Sequence, residues 1–348
     1  MGQSRVTQPS IVPTLEFLSL LPLAAGSTLD AHNWGNICPS ATTAADGFTI
    51  DEDCLNLNIW SPANSTDAKL PVVIWSYPAE LTAADPLFYG GGMADKGIVF
   101  VNYNYRTGPF GWLAHSKLSA EFEKVTGSNS SGNWAEAREM TMEELIDGVT
   151  GSSKATMIMF EAVLDYYAMP DTYLNILKKG LAHDVSVITG NNKNENGATY
   201  GHDISLEEYY ENVNETYSGV WVERFLELYP ANDSTAASGA YHSMFTDRSR
   251  NAGAYYESEI NYVLNNLYST DKPWKAEDYE IAEKMKDYWA NFIKTGNPNG
   301  ADTTFEWPAV SSTKKTVQHV GNEWGQIPIA WSKKVTLFKE WFATLIAY

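Results

Sequence analysis

Basic residues are scarce in this chain of 348 residues: 24 Lys and Arg stand against 43 Asp and Glu, a formal net charge of -19. A surface of that sign repels phosphate backbones and anionic membranes, which argues against a nucleic-acid-binding role. Long apolar runs are missing too. No stretch approaches the roughly eighteen residues that a membrane-spanning helix needs, and Val6 breaks the myristoylation pattern that Met1-Gly2 opens. Cysteine occurs twice, at Cys38 and Cys54. Two thiols exclude a disulfide-rich scaffold, and their spacing fits no four-ligand zinc pattern. The pair suits a small disulfide-closed loop or two unrelated buried thiols. No metal or cofactor motif is present, so none is expected to be bound.

What the sequence holds in quantity is apolar and aromatic surface. With 44% hydrophobic residues, 12 Trp and 20 Tyr, the chain can bury one large core or two modest ones. At the N-terminus, Arg5 precedes the apolar stretch Leu15 to Leu23 and then Ala24-Ala25-Gly26. That order is expected of a signal peptide cleaved near Ala25, so residues 1–26 read as a signal-like segment and the protein as secreted. The sequons at Asn64, Asn129, Asn214 and Asn232 are candidate glycosylation sites on that route.

Four short apolar runs read as strands: Leu55–Trp60, Pro71–Tyr77, Gly97–Tyr105 and Val185–Thr189. Val72-Val73-Ile74-Trp75 and Ile98-Val99-Phe100-Val101 lack the alternation of a half-exposed strand, which predicts burial on both faces in a parallel sheet. Further on, Ile281, Met285, Tyr288, Trp289 and Phe292 fall on one face at helical spacing, and Gly296 stands where that helix should stop. The stripe reads as core packing, as do Trp331, Phe338 and Trp341 in a last helix. Strands mixed with helices make the fold class α/β.

Five segments carry a resemblance. Asp51-Glu-Asp-Cys-Leu-Asn-Leu-Asn-Ile-Trp60 resembles the E-D-C-L-x-L-N signature of type-B carboxylesterases and cholinesterases. Asn102-Tyr-Asn-Tyr-Arg-Thr-Gly-Pro-Phe-Gly-Trp-Leu-Ala114 is similar to that family's N-Y-R-x-G-P-x-G-F-L-A segment. Gly190-Asn-Asn-Lys-Asn-Glu195, Gly253-Ala-Tyr-Tyr-Glu-Ser-Glu-Ile260 and Tyr288 to Pro308 resemble three further family stretches, in family order. The wording is nearest to secreted fungal members. The resemblance implies an α/β-hydrolase fold with a mostly parallel sheet, and ester cleavage by Ser, His and Glu. It implies a Cys38–Cys54 disulfide, and it divides one domain into an N-terminal part, 27–134, and a C-terminal part, 135–348.

The chemistry itself is poorly represented. A serine nucleophile of this kind sits on a sharp strand-to-helix turn written G-x-S-x-G. Glycines four apart here flank Thr199, Pro298 or Glu323, never Ser. The elbow should follow Ser131-Gly132-Asn133-Trp134. Instead Met140-Thr-Met-Glu-Glu-Leu145 resembles a helix the family places well beyond it, so an elbow strand and helix are missing from the expected sheet. Tyr256 stands at the family's His position, and a phenol titrating near 10 is no base at neutral pH. His242 imitates the motif but reads as a surface helix residue. The family's oxyanion glycines, H-G-G-G, are replaced by Tyr77-Pro78-Ala79-Glu80, and Pro78 has no N–H to give. Gly90-Gly91-Gly92 comes too late and reads as a turn. Glu195 alone occupies the place of the triad acid.

Losing one oxyanion donor costs about 10²–10³ in rate, and losing the nucleophile about 10⁶. The reading is therefore a carboxylic ester hydrolase family member that has lost catalysis. Its alternatives are an active carboxylesterase represented by a shortened sequence, and a non-catalytic cholinesterase-like binding protein. A small-molecule ester is the partner in the active case, and another protein in the non-catalytic one.

Overall fold

The computed structural model describes residues 14–16, 33–40, 47–65, 67–77, 82–111, 140–150, 164, 166–167, 170–190, 204–249, 259–311, 313–328 and 331–345. They fall into two compact units: Met1–Ile176 with Tyr268–Lys272, and Leu177–Leu267 with Pro273–Tyr348.

The first unit is built on a sheet of β1 (Thr14–Glu16), β2 (Asn56–Trp60), β3 (Val72–Trp75) and β4 (Val99–Tyr103), in the order β1-β2-β4-β3. β2 runs antiparallel to both β1 and β4, while β3 and β4 are parallel, with Val72 opposite Val99 and Trp75 opposite Asn102. Parallel neighbours need a crossover, and here it carries α1 (Gly91–Ala94). Gly90, Gly91 and Gly92 are therefore the N-cap and first turn of a short helix rather than a loop turn. A side chain at Gly90 would run into the Phe100 ring, so close approach requires the glycine. α2 (Gly108–Gly111) follows β4 directly, and α3 (Met142–Thr150) packs near it.

Burial is one-sided. Asn56, Asn58 and Trp60 of β2 and Phe100 and Asn102 of β4 are buried, and Trp75 stacks on Phe100 at 6.3 Å. On the opposite face Val72 and Ile74 are 57% and 67% exposed. The expectation of strands covered on both faces fails at β3, because an apolar run records what a strand is suited to and not what covers it. Val185–Thr189, expected as a fourth strand, lies outside any strand, with Val185 and Val187 exposed.

α4 (Tyr173–Lys178) precedes the second unit's own elements. These are α5 (Leu206–Thr216), α6 (Val220–Leu228), α7 (Ser234–Ser249), α8 (Ile260–Val263), α9 (Ala276–Thr295), a hairpin of β5 (Thr316–His319) and β6 (Gly325–Pro328), and α10 (Ser332–Phe342). A capping box opens α5: Ser205 Oγ accepts from Glu208 N, and the Glu208 carboxylate accepts from Ser205 N. Tyr209, Val213, Phe225, Leu337, Phe338 and Trp341 bring α5, α6 and α10 into one core, where the Tyr217 and Phe225 rings stack 3.6 Å apart. α9 ends as its sequence predicts, with Gly296 left-handed at φ 74°. Of its stripe, Ile281, Met285 and Tyr288 are buried and Trp289 and Phe292 half-buried. Trp331 departs from expectation: it is the N-cap of α10 and is exposed, while Phe338 and Trp341 are buried.

Candidate functional site

The chain leaving β3 is held by a set of buried side-chain amides. β2 and β4 carry asparagines at alternate positions on the buried face, so that Asn58 opposes Asn102 in register. Asn58 Nδ2 donates to Asn102 Oδ1 at 2.7 Å, and Asn102 Nδ2 donates to the carbonyls of Ala83 at 2.9 Å and Phe88 at 3.1 Å. Beside them, Asn104 Nδ2 donates to Asn56 Oδ1 at 3.1 Å. Asn104 Oδ1 accepts from Ala83 N at 2.8 Å, Thr82 Oγ1 at 3.1 Å and the Tyr77 hydroxyl at 3.2 Å. One oxygen thus ties down both ends of the segment between Tyr77 and Ala83. In a low-dielectric interior such bonds fix a conformation, because breaking any one leaves a buried group unpaired.

Tyr77 occupies the place where the resemblance expects the first residue of the oxyanion run. Its ring is buried against Phe88 and Tyr105, and its carbonyl accepts from the Tyr105 hydroxyl. Burial pushes the Tyr77 phenol above its ordinary range, and the hydrogen bond from the Tyr105 backbone offsets only part of the rise. The group is a neutral anchor, facing the asparagines. Pro78, Ala79 and Glu80 lie outside the described residues.

Glu195, Tyr256 and Asn129 also lie outside the described residues, so the described part brings together no pair of the expected catalytic positions. His242 is a half-buried residue of α7 with its ring edge-on to Tyr241 at 5.7 Å. Cys38 and Cys54 are joined in a disulfide, with Cα atoms 5.0 Å apart. Asn64 and Asn232 are exposed outside regular elements, whereas Asn214 sits on α5 with its amide donating to the Tyr210 carbonyl at 2.7 Å. Among the described residues no group of three His, Cys, Asp or Glu could hold a metal ion. No described helix is long and apolar enough to cross a membrane.

Sequence reasoning passed over Asn56, Asn58, Asn102 and Asn104. Their signal was legible: two otherwise apolar strands each carry Asn at alternate positions, which puts four amides on one face.

Comparison with known proteins places this geometry. The structure superimposes on the PNB esterase with a TM-score of 0.71 at 18% identity, covering 89% of each chain. On Aspergillus niger EstA the TM-score is 0.69 at 16% identity, covering 92% of this chain and 89% of that one. The fold is thus of the α/β-hydrolase class, with a small, incomplete sheet. Residues 25–135 and 222–334 match the carboxylesterase family, and the chain belongs to that family. It is 37% identical over 114 residues to the fumonisin B1 esterase of Sphingopyxis macrogoltabida, covering 31% of this chain and 21% of that protein. Lipase 2 of Geotrichum candidum is 26% identical over 243 residues, covering 66% and 39%. The matches span less than half of these two relatives. The bile salt-activated lipase of Bos taurus aligns over 432 positions at 22% identity, covering 80% of this chain and 72% of that protein. That alignment is longer than the chain's own 348 residues, so the relative carries residues with no counterpart here.

Proposed function

We propose that this chain is a carboxylesterase-family protein that does not hydrolyse esters efficiently. The observation that carries the reading is the anchoring of Tyr77 at the head of the oxyanion segment. A buried phenol tied to Asn104 stands where a flexible, N–H-presenting run is needed, and the sequence continues into Pro78, which has no N–H. Two further features support it: no G-x-S-x-G segment exists anywhere in the 348 residues, and Tyr256 stands in place of the imidazole. Glu195 then has no base to orient. The test is turnover of p-nitrophenyl acetate by the purified chain beside a Glu195→Gln variant. Equal rates are expected; a rate that falls in the variant contradicts the reading.

The alignment with the bovine lipase favours a second reading, in which this chain is the product of a shortened gene or transcript whose full-length form is an active esterase on a small-molecule ester. The unmatched interval between residues 135 and 222 falls where the sequence departs from the family after Trp134. Sequencing transcripts across the Trp134 codon decides between the two: a longer form encoding G-x-S-x-G supports the second, and its absence removes it.

Secretion and glycosylation belong to the same proposal, supported by the exposure of Asn64 and Asn232. A mass loss on endoglycosidase digestion, after expression in a eukaryotic host, is the expected result.

A further inference from the structure

An open cleft of about 550 Å³ lies at the carboxyl ends of the parallel pair β3 and β4. That end of an open α/β sheet is where such folds receive ligands, and the volume is that of a small-molecule site. The cleft's lining mixes polar and apolar groups. Within the lining, Ser76 Oγ and Tyr103 Oη meet at 2.7 Å, and either can be the donor. Beside them Arg106 is exposed; its Nη2 donates to the Glu52 carbonyl at 3.0 Å. Its remaining N–H groups have no partner among the described residues. Leu55 and Phe110 add apolar surface to the lining. Tyr105 completes the wall, its hydroxyl already committed to the Tyr77 carbonyl.

A guanidinium with free donors and a pair of hydroxyls that can turn toward an acceptor form a seat for a carboxylate, since charge-assisted bonds of this kind are short and strong. Arg106 disfavours a cationic ligand. The apolar part of the lining, with Phe110 aromatic, suits a flat ring, which it would meet in an offset or edge-on arrangement. We infer that this cleft binds a small aromatic carboxylate, with Arg106 and the Ser76–Tyr103 pair holding the acid group and Leu55 and Phe110 the ring. The site needs no nucleophile and stands whether or not ester hydrolysis survives.

Benzoate is the probe, titrated calorimetrically into the full chain, with benzamide as its neutral analogue. Saturable benzoate binding is expected, with benzamide weaker. Arg106→Gln should weaken benzoate about 10- to 100-fold, the usual effect of losing a hydrogen bond to a charged group, and leave benzamide nearly unchanged. Arg106→Lys should restore part of the loss. Should Arg106→Gln fail to fold by circular dichroism, Ser76→Ala decides, with several-fold weaker benzoate binding expected. Absence of saturable binding to the folded chain, or benzoate affinity unchanged in the folded variant used, overturns the inference.

Discussion

Asn104 does more for the candidate site than any residue the sequence singled out. Its Oδ1 receives three donors from the segment between Tyr77 and Ala83, and each buried group left without a partner costs about 1–3 kcal/mol. Asn104→Ala should therefore lower the unfolding free energy by about 2 kcal/mol or more in urea, with the slope of the transition unchanged. A loss below about 0.5 kcal/mol would show that the network is not structural. A second residue-scale prediction concerns pH. Tyr209 is buried, its hydroxyl donates to the Tyr229 carbonyl at 2.7 Å, and its phenol is pushed up to about 12, first by burial and then by Tyr210 and Tyr217. In the unfolded chain it titrates near 10. The unfolded state therefore ionises first, so the stability held by the neutral phenol is complete below about pH 10 and lost as pH rises toward about 12. The urea midpoint should fall across that interval, and less steeply in Tyr209→Phe; equal slopes would contradict the assignment. At this scale the sequence was partly legible. The alternation of Asn56, Asn58, Asn102 and Asn104 could be read from two strands, but their partners could not, because these are backbone and hydroxyl groups that only the folded chain brings within reach.

Among the elements, β3 is the one whose environment departs furthest from its composition. Val72-Val73-Ile74-Trp75 lies at the end of the described strand order, and its outer face leaves Val72 and Ile74 exposed. No charged residue interrupts the sequence from Leu70 to Ala79. Long, uncharged, β-branched edges invite pairing with another chain, and an edge lysine is the usual guard against it. Ile74→Lys should leave stability within about 0.5 kcal/mol, as expected of an exposed position, and should reduce concentration-dependent association in light scattering. Unchanged association in the variant would place the contact elsewhere. The positions of β2, β3 and β4 were legible from apolar runs, and so was the end of α9 at Gly296. What covers a strand was not, since neighbours far along the chain decide it; Val185–Thr189 has the composition of a strand and none of its pairing. β1, at Thr14–Glu16, falls inside the segment read as signal-like. Cleavage near Ala25 would remove it and leave β2 at the edge.

Over the whole molecule, family membership rests on two matched spans, 25–135 and 222–334. The family's frame was legible from motif segments, four of which lie within the matched spans, while Gly190–Glu195 lies outside them. Of its activity the sequence shows only that no G-x-S-x-G segment is present. The claim that joins these scales is that no hydroxyl in this chain is activated as a nucleophile. The direct measurement is intact-mass analysis of the folded protein after incubation with a fluorophosphonate probe. No covalent adduct is predicted; a single stoichiometric adduct on one serine or threonine would contradict the claim.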